Sequence, residues 1–222
     1  RELAADIDSR YIGVILPKGG ANVHLGIMYL DRHDTVDVFA HEISHLLGFV
    51  DEYPLPPKHE KCSQVQERPF AHNIVVLNKS YQGDRNSLRK QLLAQIPWHK
   101  YIKASTPILQ ANGDTWLLGT PDDFRYDVGI FPAETCQSNS FSAFKPLKVT
   151  TQLRYFEEGF PTQYADFFTH APFNYLMPSF HYNIAFALFN QHEITLASWW
   201  LQQAAKYETD IYRQEKILQG DF

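Results

Sequence analysis

The stretch His41-Glu42-Ile43-Ser44-His45-Leu46-Leu47-Gly48 constrains this chain more than any other. Two histidines four positions apart stand on one face of a helix, where both rings can reach a single zinc ion. The surrounding residues agree with a helix. Asp34 and Asp37 offer an N-cap and a first-turn carboxylate at the positive helix end. Val36, Phe39, Ala40, Ile43, Leu46 and Leu47 supply a wide apolar face. Gly48 then stands where a helix commonly ends, because glycine enters the left-handed conformation at no steric cost. The chain can double back there, so that a residue three positions later reaches the same metal. That residue is Asp51, and Glu52 is next to it.

These residue types carry a definite chemistry. His41 and His45 are the expected zinc ligands, and Glu42 beside them is the expected general base, acting on water whose pKa the ion lowers. Asp51 is the expected third ligand, leaving a fourth position for water, with Glu52 as the alternative. Glu60 and Glu67 lie in a segment without helical periodicity, which argues against a ligand supplied from a later helix. The pattern reads as a zinc metallopeptidase.

His-Glu-x-x-His-x-x-Gly-x-x-Asp resembles the metzincin zinc proteases, with aspartate where a third histidine usually stands. The continuation Asp51-Glu52-Tyr53 is similar to the immunoglobulin-A-cleaving metallopeptidase family and its bacterial relatives. Gly13-Val-Ile-Leu16 running into Gly19-Gly20, and Val128-Gly-Ile-Phe131 followed by Lys145-Pro146, also resemble blocks of that family. The resemblance extends over about residues 11 to 146. It implies a zincin-like α+β fold and one zinc ion per chain. The chain departs from the family in the spacer between His45 and Asp51, which bears on the choice between Asp51 and Glu52. It departs again after Pro146, where Gln152-Leu153 replaces a cysteine-x-methionine. Met177, in Tyr175-Leu-Met-Pro178, looks like the metzincin Met-turn. Some metzincins place a tyrosine near that turn to stabilise the developing oxyanion. Tyr182 is the first candidate for that role, ahead of Tyr53 and Tyr175. His24, His33, His72, His99, His170, His181 and His192 read as surface or core residues.

The chain of 222 residues has a hydrophobic content of 44%, a charged content of 20% and a formal charge of −5. That balance describes a globular protein without a basic footprint for nucleic acid. No apolar run approaches the length of a membrane span. Because the chain opens at Arg1 with no leader-like stretch, a trimmed form of a secreted or periplasmic bacterial protein is expected. A disulfide between Cys62 and Cys136 is expected on the same ground.

Strands are expected over Tyr11–Leu16, over His24–Leu30 and over Asn73–Leu77, with Trp116–Leu118 strand-like. The second is the candidate edge strand that would pair with a peptide main chain. Residues 51–72 read as a long surface loop, Asn86–Gln95 as a helix, and Ile184–Leu218 as strongly helical. The fold class is therefore α+β: a zincin-like mixed sheet with the active-site helix behind it, then a helix-rich end. Composition shifts near residue 146, dividing a catalytic core of 1–146 from a helix-rich subdomain of 147–222. The expected activity is hydrolysis of peptide bonds in peptide or protein substrates. A non-catalytic zinc-containing binding module and a zinc hydrolase of cell-wall peptide amides are the rival readings. The sequence names neither the cleaved bond nor the oligomeric state.

Overall fold

The computed structural model describes residues 7–56, 58–138 and 140–221. In chain order the elements are β1 (Ile12–Leu16), β2 (Asn22–His24), β3 (Ile27–Asp31), α1 (Val36–Leu46), β4 (Val75–Asn78), β5 (Ser80–Tyr81) and α2 (Arg85–Leu93). There follow β6 (Leu109–Asn112), β7 (Thr115–Leu118), β8 (Phe131–Gln137), β9 (Phe141–Lys145), α3 (Thr162–His170), α4 (Phe180–Asn190), α5 (Ile194–Ala205) and α6 (Ile211–Gln219). The fold is mixed α+β, as the sequence pattern predicts. Among the described residues no helix is long and apolar enough to cross a membrane. The chain divides into two compact units, one of residues 1–47 with 176–222 and one of residues 48–175. These limits differ from the compositional shift near residue 146.

The first unit holds a three-stranded sheet in the order β1-β3-β2, with β1 parallel and β2 antiparallel to β3. The single strand expected over His24–Leu30 is instead a hairpin. Leu25 and Gly26 both take positive φ, 45° and 81°. A side chain at Gly26 would stand 2.4 Å from the backbone nitrogen of Phe180, so only glycine fits. As a result β3 is central and β2 is an edge, so the edge position belongs to Asn22–His24.

Helix α1 packs on β2 and β3. Its cap is Thr35, whose hydroxyl accepts from the Val38 N–H, rather than Asp34, whose carboxylate accepts from the Asp31 N–H at 2.6 Å. Val36 is 80% exposed and Phe39 40%, so neither belongs to the expected apolar face. The buried face is His41, Glu42, Ser44 and Leu46. The helix turns polar residues inward, and apolar periodicity does not report such a face.

The C-terminal end of α1 is fastened from below. The Leu46 carbonyl accepts from the Met177 N–H at 3.0 Å and from the Tyr11 hydroxyl at 2.7 Å. Burial pushes the Tyr11 phenol up to about 12, so it stays protonated and able to donate. The Met177 carbonyl in turn accepts from Arg10 at 2.9 Å, and Arg213 donates to the Leu176 carbonyl. Both guanidiniums pair with the buried carboxylate of Glu208, each at 2.6 Å. Helices α4 and α5 close on Ala185, Leu188, Ala197 and Trp200, while Tyr182, Ala204, Ala205 and Ile217 join α4, α5 and α6.

In the second unit β4, β9 and β8 form an antiparallel sheet in the order β4-β9-β8, and β5, β7 and β6 form another in the order β5-β7-β6. Ala71, Ile74, Val76, Ala133, Cys136 and Ala143 make one core cluster. Cys62 and Cys136 are joined, Cα to Cα 5.2 Å, which ties the segment after α1 to β8 as expected. The segment 51–72 is not wholly a surface loop, since Glu52, Ala71 and His72 are buried.

Two measurements check these energetics. The disulfide closes a loop of 74 positions, so reducing it should lower the free energy of unfolding by about 4 kcal/mol in denaturant titration. Burial lowers the pKa of His72 from 6.5 to about 4. The unfolded chain therefore takes up a proton in this window that the folded state refuses. Stability is full above pH 6.5 and falls by about 3 kcal/mol as pH drops toward 4. Urea unfolding should show this decline in the native protein and a much flatter profile in His72→Phe.

Candidate metal centre

His41 and His45 project from successive turns of α1, and their Nε2 atoms face each other at 3.1 Å. The rings stand edge to face, with centroids 4.7 Å apart and planes at 89°. Two nitrogens bound tetrahedrally to one zinc ion at about 2.0–2.1 Å lie about 3.3 Å apart. The observed spacing therefore fits two ligands of one ion. Asp51 joins them: one ligand atom from each of His41, His45 and Asp51 falls within 4.8 Å of the others. Among the described residues this is the group of three that could hold a metal. Glu42 is buried beside it, 7% exposed, and His41 is buried more completely.

Only residues 47–50 separate the helix from Asp51, and their backbone is pinned almost residue by residue. Leu47 caps the helix and Gly48 follows at φ 91°, where a side chain would meet the Tyr175 carbonyl at 2.6 Å. The Gly48 carbonyl accepts from the His72 N–H at 3.0 Å. Asn73 grips Val50 from both sides: its amide donates to the Val50 carbonyl at 2.8 Å and its side-chain oxygen accepts from the Val50 N–H at 2.9 Å. Thr135 donates its hydroxyl to the Asp51 carbonyl at 2.7 Å, and the Glu52 N–H donates to the Leu153 carbonyl at 2.9 Å. A carboxylate on so constrained a backbone needs little further ordering to meet a metal.

Glu52 points elsewhere. Its carboxylate is 2% exposed at the residue level and pairs with Lys145 at 2.6 Å. The Tyr164 hydroxyl donates to it at 2.5 Å, and the Asn73 amide approaches at 3.5 Å. Burial, and then the Glu52 charge, hold the Tyr164 phenol well above its ordinary pKa. Adjacent residues of an extended segment face opposite ways, so Asp51 is turned to the histidines and Glu52 into the interior. Of the two carboxylates, it is Asp51 that is grouped with the two histidines.

Other sequence candidates fall differently. Tyr182 is 3% exposed in the α4–α6 cluster with Ala204, Ala205 and Ile217. Tyr53 is half-buried, and Tyr175 takes φ 61° opposite Gly48. Met177 is held against the end of α1 by its backbone. Asn73, Thr135 and Tyr164, which position Asp51 and Glu52, carry no sequence signal of their own. Lys145 does stand in one of the blocks that carry the family resemblance.

No family model, curated protein or solved structure matches this chain.

Substitutions separate the two carboxylates. Asp51→Ala should weaken metal binding by at least tenfold in a chelator competition. Glu52→Ala should leave the metal ligands in place and destabilise the fold by about 3–5 kcal/mol, since it strands the buried Lys145 ammonium. The two effects are read by metal titration and urea unfolding of the same samples.

Proposed function

We propose that this chain is a zinc-dependent endopeptidase, related to the metzincins and in particular to the immunoglobulin-A-cleaving metallopeptidases. The observation that carries the reading is the convergence of the His41 and His45 Nε2 atoms at 3.1 Å beside the buried Glu42. Two imidazoles and a carboxylate form a donor set suited to zinc, and three protein ligands are the usual complement of a catalytic site. A purely structural site has no need of the Glu42 carboxylate.

When bound, the ion supplies Lewis acidity that lowers the pKa of water and polarises a peptide carbonyl. Glu42 takes the proton from the attacking water and passes it to the leaving amine. His41, His45 and Asp51 hold their positions through α1 and its pinned exit. The edge strand β2 offers backbone groups along which a peptide main chain can align, and it packs on α1. The backbone bond from Met177 to Leu46 supports reading Tyr175–Pro178 as the turn beneath the metal. The Cys62–Cys136 bond supports an oxidising compartment, in keeping with a secreted or periplasmic enzyme.

Glu42→Gln tests the mechanism. Cleavage of a diverse peptide library, read by mass spectrometry, should fall by about 10²–10⁴-fold. Elemental analysis should still find one zinc per chain. Undiminished turnover in this variant, or native protein that takes up no zinc, would overturn the proposal.

A further inference from the structure

The segment that carries Asp51 has little secondary structure to hold it. From Asp51 to the single helical turn at Glu60–Cys62 the described residues form no strand or helix. Three ties fasten this segment to one place in β8. The Asp51 carbonyl accepts from the Thr135 hydroxyl at 2.7 Å, and the Leu55 N–H donates to the Thr135 carbonyl at 3.1 Å. The third tie is covalent, from Cys62 to Cys136.

That place in β8 is itself irregular. Ala133 pairs with Ala143 and Gln137 with Ser142, so Glu134, Thr135 and Cys136 stand between two positions that are adjacent on β9. A bulge of this kind leaves its extra residues outside the ladder. Thr135 turns both its hydroxyl and its carbonyl to the segment of Asp51 and Leu55 instead. Chain connectivity then makes the disulfide matter. Thr135 and Asp51 are 84 positions apart along the chain. Through Cys62 and Cys136 the same two residues are joined by a path of about a dozen residues, and closure of a flexible loop falls as roughly the 3/2 power of its length. Once this segment has opened locally, the contact is up to about twentyfold harder to re-form without the disulfide.

We infer that the Cys62–Cys136 disulfide positions Asp51 through Thr135, so that metal affinity depends on the oxidation state of the two cysteines. The inference rests on reading His41, His45 and Asp51 as metal ligands. Thr135 is a positioning residue, acting through the Asp51 backbone. Every tie named lies within the unit of residues 48–175. A dithiol opens the bond by exchange: two electrons and two protons convert the disulfide to two thiols, and the reductant closes a disulfide of its own. Attack falls on Cys62, which is half-buried, since Cys136 is 2% exposed.

Replacing both cysteines, Cys62→Ala with Cys136→Ala, tests this without freeing thiols that could bind metal themselves. Zinc affinity of the full chain, measured by chelator competition, should fall by about tenfold. In the metal-free protein, amide hydrogen exchange at Leu55 should quicken by about the same factor. Thr135→Val in the disulfide-bonded chain should reproduce the loss of affinity, and Thr135→Ser, which keeps the hydroxyl, should retain it. Because the two act in series, Thr135→Val in the cysteine-free chain should add little, whereas independent effects would multiply. A disulfide that only stabilised the fold would leave the zinc affinity of the folded protein unchanged. If the cysteine-free chain does not fold, Leu55 exchange in native protein reduced with a phosphine gives the same reading. Unchanged affinity, unchanged Leu55 exchange, Thr135→Ser as weak as Thr135→Val, or multiplied effects would each overturn this inference alone. Native protein that takes up no zinc would overturn it together with the metal reading.

Discussion

The exit from α1 sets where Asp51, the carboxylate of the candidate metal group, can stand, and that exit turns at Gly48. At φ 91°, with the Tyr175 carbonyl where a side chain would stand, no other residue takes that conformation without strain. The turn is supported by hydrogen bonds to the backbone of Gly48, Val50, Asp51 and Glu52, drawn from His72, Asn73, Thr135 and Leu153. Asp51, the carboxylate of the candidate metal group, thus takes its position from backbone groups along residues 48–52.

Two buried carboxylates, one in each unit, hold irregular backbone in place. Glu52 sits with Lys145 and Tyr164, and Glu208 with Arg10 and Arg213. Neither is the kind of interaction that adds much net stability, because desolvation offsets most of the Coulomb attraction. Their geometry is nevertheless restrictive. The cations around Glu208 also bond the carbonyls of Leu176 and Met177, which holds that segment under the end of α1. Lys145 likewise reaches the Val149 carbonyl as well as Glu52. In each case a buried charge fixes a backbone segment that has no regular secondary structure to define it.

Helix α1 shows the compromise that such a site requires. A structural helix would turn Val36 and Phe39 inward, yet both are exposed, while His41, Glu42 and Ser44 are buried. The helix is oriented by its chemistry and by the contacts of its C-terminal end. Burial of polar groups is tolerated because each has partners within reach, and one metal ion would satisfy the two facing nitrogens at once.

Features carried by a few neighbouring residues were legible in the sequence. The helical spacing of His41 and His45, the role of Gly48 at the helix end, the strand beginning near Tyr11 and the helical C-terminal stretch all follow from local spacing and backbone preference. Features set by contact between distant segments were not. Nothing near Leu25 announces that it takes φ 45° and divides an apolar run into a hairpin. Asp51 and Glu52 are chemically alike and adjacent, and only the presence of Lys145 and Tyr164 on one side separates a ligand from an interior ion pair. Tyr182 lies close in sequence to Met177 but belongs to a helical core. Local conformation is determined by the short-range sterics that a sequence displays directly. The direction in which a side chain faces is determined by partners tens of residues away, and only the tertiary structure brings those together.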